Sequence, residues 1–407
     1  MTLDPQFVRA QFPAFGEPSL AGQAFFENAG GSYPCRQVID RLTRFYTARK
    51  VQPYAPYAAS QAGGAEMDEA RSRLAALLNV AEDELSFGPS TTQNAYVLAQ
   101  AFAQMLPAGA AIVVTDQDHE ANSGPWRRLA ERGIEIREWQ VDPETGHLDP
   151  AGLARLLDAK VALVAFPHCS NIVGEINDAP AITAMAHDAG AVVCVDGVSY
   201  APHGFPDIGA LGADIYLFSS YKTYGPHQGL MVVRRALADR LPNQGHGFNA
   251  GAREKRLTPA GPDHAQIAAC AGMADYVDAL YARHAGGAAL PEARAAVVRD
   301  LMRARESALL APLLEALRGR DGLRILGPEI VAGRVPTLAI AHRQPGAALA
   351  AELAPHGIMA GGGDFYAGRV LRAMGVDPDH GVLRLSFTHY THEDEIARAV
   401  AALDAVL

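Results

Sequence analysis

Four short apolar runs limit what this chain can fold into: AAIVVTD (110–116), VALVAFPH (161–168), AVVCVDG (191–197) and DIYLFSS (214–220). None alternates apolar with polar residues, so each suits a strand buried on both faces, as in a parallel sheet. Between them lie segments of helical character near 124–132, 149–158 and 180–189. Upstream, Met67, Ala70, Leu74 and Leu77 mark a helix over 64–79, and another starts near Thr91 and Thr92. Strands alternating with helices in this way predict a doubly wound α/β sheet, whose ligands gather beyond the carboxyl ends of the strands. His119, Asn171, Asp196 and Lys222 all fall at such ends.

After about residue 250 the texture changes. The polar connection GAREKRLTPAGPDH leads into helical sequence from about 264 to 318, broken near Gly286 and Gly287. Strands are predicted at LRILGP, TLAIAH and VLRLSF, followed by a closing helix over 393–406. Length supports more than one domain: 407 residues exceed a typical single core of about 100–200 residues. The predicted division is a large α/β domain over 21–250 and a smaller α+β domain from 1–20 with 251–407. The glycine-rich stretch 361–368 and residues 50–62 suit lids or specificity loops, or plain surface.

Composition excludes several functions. A net charge of −10 with no run of like charge leaves no basic footprint for nucleic acid or an anionic membrane surface. No apolar run reaches the ~18 residues of a membrane span, and the N-terminus lacks the pattern of a signal peptide, so a reducing cytoplasm is expected. Cys35, Cys169, Cys194 and Cys270 form no CxxC pair, and no histidine has zinc-ligand spacing, so no metal site is predicted.

Lys222 is the most informative residue. The chain has four lysines against 31 arginines, so lysine is seldom used here as mere surface charge. Where a buried strand runs into a turn, an ammonium is poorly solvated. Its pKa falls, and the neutral amine can condense with an aldehyde. On position alone, a lysine snorkelling from a strand end fits as well. Asp196 closes an apolar run, where a carboxylate needs a cation such as a protonated pyridine nitrogen, or else caps the next turn. Ser90, Thr91 and Thr92 open a helix whose free N–H groups suit a phosphate, although hydroxyls there are also ordinary caps. His119 lies in a loop where it can stack on a flat ring or have no role. Arg384 interrupts an apolar strand, and a buried arginine usually holds a carboxylate, the protein's own or a substrate's.

Taken in order, these segments resemble the class V aminotransferase family of fold-type I pyridoxal-phosphate enzymes, the group that contains the cysteine desulfurases. The resemblance runs from FFENAGGSYP (25–34) to VLRLSFTHYTHEDEI (382–396), through STTQNAY, DHEANSGPW, HCSNIVGEI, VDGVSYAPH and FSSYKTYGPH. It implies pyridoxal 5'-phosphate as cofactor, a small amino acid as substrate, and a homodimer with active sites at its interface. Lys222 would be the Schiff-base lysine, Asp196 the partner of the pyridinium nitrogen, and His119 the ring-stacking residue. Asn171 would bond the ring hydroxyl, and Thr91, Thr92 and Ser219 would hold the phosphate. Arg384 would bind the substrate carboxylate, in a substrate site that includes Asn28 and Tyr366.

Three departures from the pattern matter. Tyr366, in GGGDFYAGRVL (361–371), stands about where desulfurases carry their nucleophilic cysteine. Ser199 and Tyr221 replace the usual Gln and His of the cofactor site. In AGPDHAQ (260–266), the segment expected to reach the partner's phosphate, Pro262 lies near the usual Thr. The resemblance therefore implies transamination or C–S lyase-like β-elimination, with desulfuration or epimerisation as the alternatives within the family. A nicotinamide oxidoreductase would need a glycine fingerprint after the first strand, and the AGG and GGG clusters lack its spacing and setting. A non-catalytic regulator on the same fold would have no use for the set Lys222, Asp196, His119 and Arg384.

Overall fold

The computed structural model describes residues 1–407. All four apolar runs become strands of one seven-stranded sheet: β2 (Ala111–Thr115), β4 (Val161–Pro167), β5 (Val192–Asp196) and β6 (Ile215–Ser219). Three strands that the apolar runs did not reveal complete it: β1 (Leu85–Gly88), β3 (Glu135–Trp139) and β7 (Gly229–Val233). Their order is β1-β7-β6-β5-β4-β2-β3, parallel except for β7, which runs antiparallel to both neighbours.

Side chains of a strand point alternately to its two faces, and here both faces are covered. Ile112, Val114, Leu163, Ala165, Cys194, Ile215 and Leu217 enter one core with Leu98 and Phe102 of helix α1 (Thr91–Met105). Val113, Val164, Phe166, Val193, Val195, Tyr216 and Phe218 enter a larger core on the opposite face. That is why these strands read as unbroken apolar runs.

A second, antiparallel sheet has the order β10-β11-β9-β8, built from β8 (Leu323–Leu326), β9 (Thr337–His342), β10 (Gly361–Gly363) and β11 (Val382–Ser386). The helical sequence after 264 breaks near Gly286 and Gly287 as expected and also at Cys270, which was not, giving His264–Ala269, Ala271–His284 and helix α2 (Pro291–Leu317). Helix α2 serves both cores: Ala295, Val298, Leu301 and Met302 pack on the large-sheet side, while Leu309, Leu310, Leu313, Leu314 and Leu317 pack against the second sheet. The closing helix is Glu393–Val406.

Two boundaries differ from expectation. The helix expected over 64–79 is Ala58–Leu77, so only the first part of 50–62 is loop. The helix expected near 124–132 is Glu120–Arg127 followed by a tight turn over Arg128–Arg132; His119 caps its start by accepting the Ala121 N–H at 3.0 Å. A side-chain cap five residues before the first expected helical position leaves no mark in apolar periodicity.

Candidate active site

The strand ends and the start of α1 converge on a cavity of about 490 Å³. Lys222, Asp196, His119, Asn171, Thr91, Thr92, Ser199, Ser219, Tyr221, Arg384 and Tyr366 all line it. Asn28 does not: its buried side chain accepts a hydrogen bond from the Tyr390 hydroxyl instead. Residues 260–266 do not line it either, and Gln266 bonds Asp263 within that segment at 3.0 Å.

Lys222 ends the turn that follows β6 and is only 9% exposed. Burial is the main force pulling its pKa down to about 8; Arg384 adds to the fall, while Asp196 and Glu27 oppose it. Asp196, the last residue of β5, accepts the Val198 N–H at 2.8 Å. Burial pushes its pKa up to about 6 against the pull of that hydrogen bond and of Lys222. Asp118 shares this end of the cavity. Burial and the neighbouring Asp196 carboxylate raise it well above the usual carboxylate range. Its Oδ2 accepts from Asn122 at 2.6 Å, and its Oδ1 is buried without a partner.

The α1 start supplies anion chemistry. Ser90 caps the helix by accepting the Gln93 N–H at 3.1 Å, and Thr91 Oγ1 lies 2.7 Å from Ser219 Oγ. Unpaired N–H groups, the helix dipole and these hydroxyls together favour a phosphate. Thr92 is exposed beside them and Ser199 is half-buried. Tyr221 stacks on His227, with ring centroids 4.6 Å apart and planes 4° apart.

His119 accepts a backbone N–H at Nδ1, so its proton sits on Nε2. Burial, then Lys222 and Arg384, drop its pKa to about 3. It is a neutral ring throughout the physiological range.

The wall opposite is the loop after β10, where Phe365 and Tyr366 both adopt left-handed backbone, with φ of 51° and 57°. Side chains at positive φ are costly and persist only where surroundings impose them. Here Asn171 Nδ2 donates to the Phe365 carbonyl at 3.1 Å, and the Glu120 N–H donates to the Tyr366 carbonyl at 2.8 Å. Tyr366 therefore faces His119, with ring centroids 5.6 Å apart.

Glu27, Asp118, Phe365 and Cys169 also line the site, without a role assigned from the sequence. Glu27 accepts from Arg384 Nη2 at 2.6 Å, so the carboxylate on that arginine is the protein's own. A polar residue inside FFENAGG, next to Asn28, was the available signal. Cys169 is remote in sequence from the 361–371 loop yet reaches the cavity wall. Burial pushes its thiol pKa up to about 12, which leaves no thiolate at neutral pH.

A mostly parallel sheet with a lysine, a carboxylate and a helix start at its strand ends defines a class of fold, and solved structures share it. Apo cysteine desulfurase from Thermococcus onnurineus superposes with a TM-score of 0.86 at 21% identity, over 100% of this chain and 98% of that one. The cysteine desulfurase CsdA of Escherichia coli gives 0.83 at 24% identity, over 100% and 99%. The chain belongs to the class V aminotransferase family, which it matches over residues 24–399. It is 33% identical to the aminotransferase-like protein FGM3 of Gibberella zeae over 98% of both chains. It is 31% identical to a cysteine desulfurase of Serratia proteamaculans over 82% of both. No helix is long and apolar enough to cross a membrane.

Proposed function

We propose that this protein is a pyridoxal 5'-phosphate enzyme acting at the α-carbon of a small amino acid, by transamination or by C–S lyase-like β-elimination. The observation that carries the reading is Lys222: a buried amine on the cavity floor, its pKa lowered to about 8, with Asp196 near it. The residues present fit the cofactor. The α1 start with Thr91, Thr92 and Ser219 suits its phosphate, Asp196 its ring nitrogen, the neutral His119 ring its face, and Asn171 its hydroxyl. Tyr221 and Ser199 complete the walls. The buried, unpartnered oxygens of Asp118 and Asn171 mark polar groups that the protein itself leaves unsatisfied.

Bound there, the cofactor would supply an electron sink for the α-carbanion. Lys222 would tether it and, once released by the substrate amine, move the α-proton. Asp196 would keep a proton on the ring nitrogen, its carboxylate stabilised by the cation it faces. His119 would exclude water from the ring face without titrating.

Two features weigh against sulfur transfer. The loop that carries a nucleophilic cysteine in desulfurases presents Phe365 and Tyr366, pinned through their carbonyls. The one thiol on the cavity wall, Cys169, is buried and bonds the Gly174 carbonyl at 3.5 Å. A homodimer belongs to the same reading. Tyr46, Tyr54 and Phe248, at 50%, 56% and 85% exposure, are large apolar side chains left at the surface of the single chain. Sedimentation of the purified protein as a monomer at micromolar concentration would contradict this part.

The deciding experiment incubates the purified protein and cofactor with a panel of amino acids, with and without 2-oxo acids. A new amino acid that depends on the 2-oxo acid identifies transamination. Pyruvate with ammonia or sulfide, formed without an acceptor, identifies elimination. Persulfide transfer from cysteine with neither product overturns the proposal.

A further inference from the structure

Arg384 holds a carboxylate before any substrate arrives, and the pair is built in. Besides the bond from Nη2 to Glu27, Nη1 donates to the Asn171 carbonyl at 3.4 Å, and the guanidinium lies 3.7 Å over the Phe365 ring. Two glycines make room for the Glu27 carboxylate: a Cβ on Gly361 would stand 2.5 Å from Oε2, and one on Gly30 2.8 Å from Oε1.

The backbone of Glu27 is fixed beside β11, because the Ser386 N–H donates to the Phe26 carbonyl at 2.7 Å and the Asn28 N–H to the Ser386 carbonyl at 3.2 Å. Only the side chain is free to leave. It lines the cavity at 29% exposure, against 3% for Arg384, and its Oε2 has no partner.

We infer that Glu27 is a specificity-determining residue that competes with the substrate for Arg384. An amino acid docks by exchanging its carboxylate for that of Glu27 on the guanidinium. The displaced Glu27 carboxylate turns into the cavity and brings its own negative charge there. A second carboxylate on the substrate then meets like charge, so the site selects monocarboxylic amino acids over dicarboxylic ones. This rests on the proposed function only in giving Arg384 a substrate carboxylate to bind.

The test is calorimetric titration of the apoprotein with propionate and with succinate at fixed ionic strength. Glu27→Gln keeps the shape and removes the competing charge; propionate should bind at least about tenfold more tightly, and succinate should gain more than propionate. Glu27→Asp keeps the charge on a shorter arm that reaches Arg384 less well, and should give a smaller gain if Glu27→Gln does not fold. Unchanged or weaker propionate binding in the folded variants overturns the inference, as does an equal gain for both ligands. Cofactor uptake is followed separately by visible absorbance. A parent protein that never develops the cofactor band counts against the proposed function, whereas carboxylate affinity is read without cofactor.

Discussion

At Lys222, burial and the proposed function act through the same atom. Below pH 8 the folded protein must hold a buried ammonium that the unfolded chain would solvate, so this lysine lowers stability there. The loss is recovered as pH rises from about 8 toward the ordinary lysine value of 10.5. The neutral amine is also the form that attacks an aldehyde. The initial rate of pyridoxal phosphate uptake by the apoprotein is therefore expected to rise with pH along a curve with an apparent pKa near 8. Stopped-flow absorbance measures it, and a rate that is flat from pH 6.5 to 9 would contradict the assignment.

Lys222 and Asp196 were legible in the sequence because each ends an apolar run, where a charge needs an explanation. Glu27 was not, because its partner Arg384 lies far along the chain and only the fold brings the two together. Cys169 was hidden in the same way.

Among the elements, those that bury two apolar faces could be read directly, which is how β2, β4, β5 and β6 were found. Strand β3 could not: EIREW is an edge strand whose residues are mostly partly exposed. Strand β10 is three glycines, a composition that disfavours strands and is tolerated here because β11 pairs with it along its length. The loop after β10 shows best what sequence left open. Its glycines suggest mobility, yet its tip is tied across the cavity to Asn171 and Glu120. The Glu120 amide, donating to Tyr366, is expected to exchange slowly with deuterium, in step with the helix it starts. Exchange at the rate of an open loop would show that the tip is free, and would restore the case for a mobile, reactive segment.

On the scale of the molecule, the two sheets are joined by α2 and by one buried carboxylate on it. Glu306 lies 2.9 Å from His203 Nδ1, beyond β5, and accepts the His389 N–H at 3.0 Å, just past β11. Tyr276 closes the cluster, with its hydroxyl 2.7 Å from His389 Nε2. Burial works to raise the Glu306 pKa, and the two histidines outweigh it, leaving the carboxyl below its ordinary range. Removing one member of a buried pair strands the others, so Glu306→Ala should cost about 3–5 kcal/mol in urea unfolding. A cost under about 1 kcal/mol would mean that the cluster does not tie the sheets together.

The proposed function places one amine at the bottom of a cavity that would take a phosphorylated heteroaromatic aldehyde, and that is the claim to test most directly. The measurement is visible absorbance of the purified protein after pyridoxal 5'-phosphate is added and the excess is removed, for the parent and for Lys222→Ala. A band in the yellow-absorbing region that stays with the parent and is absent from the variant is the expected result. A colourless parent, or a variant that keeps the same band, would contradict it.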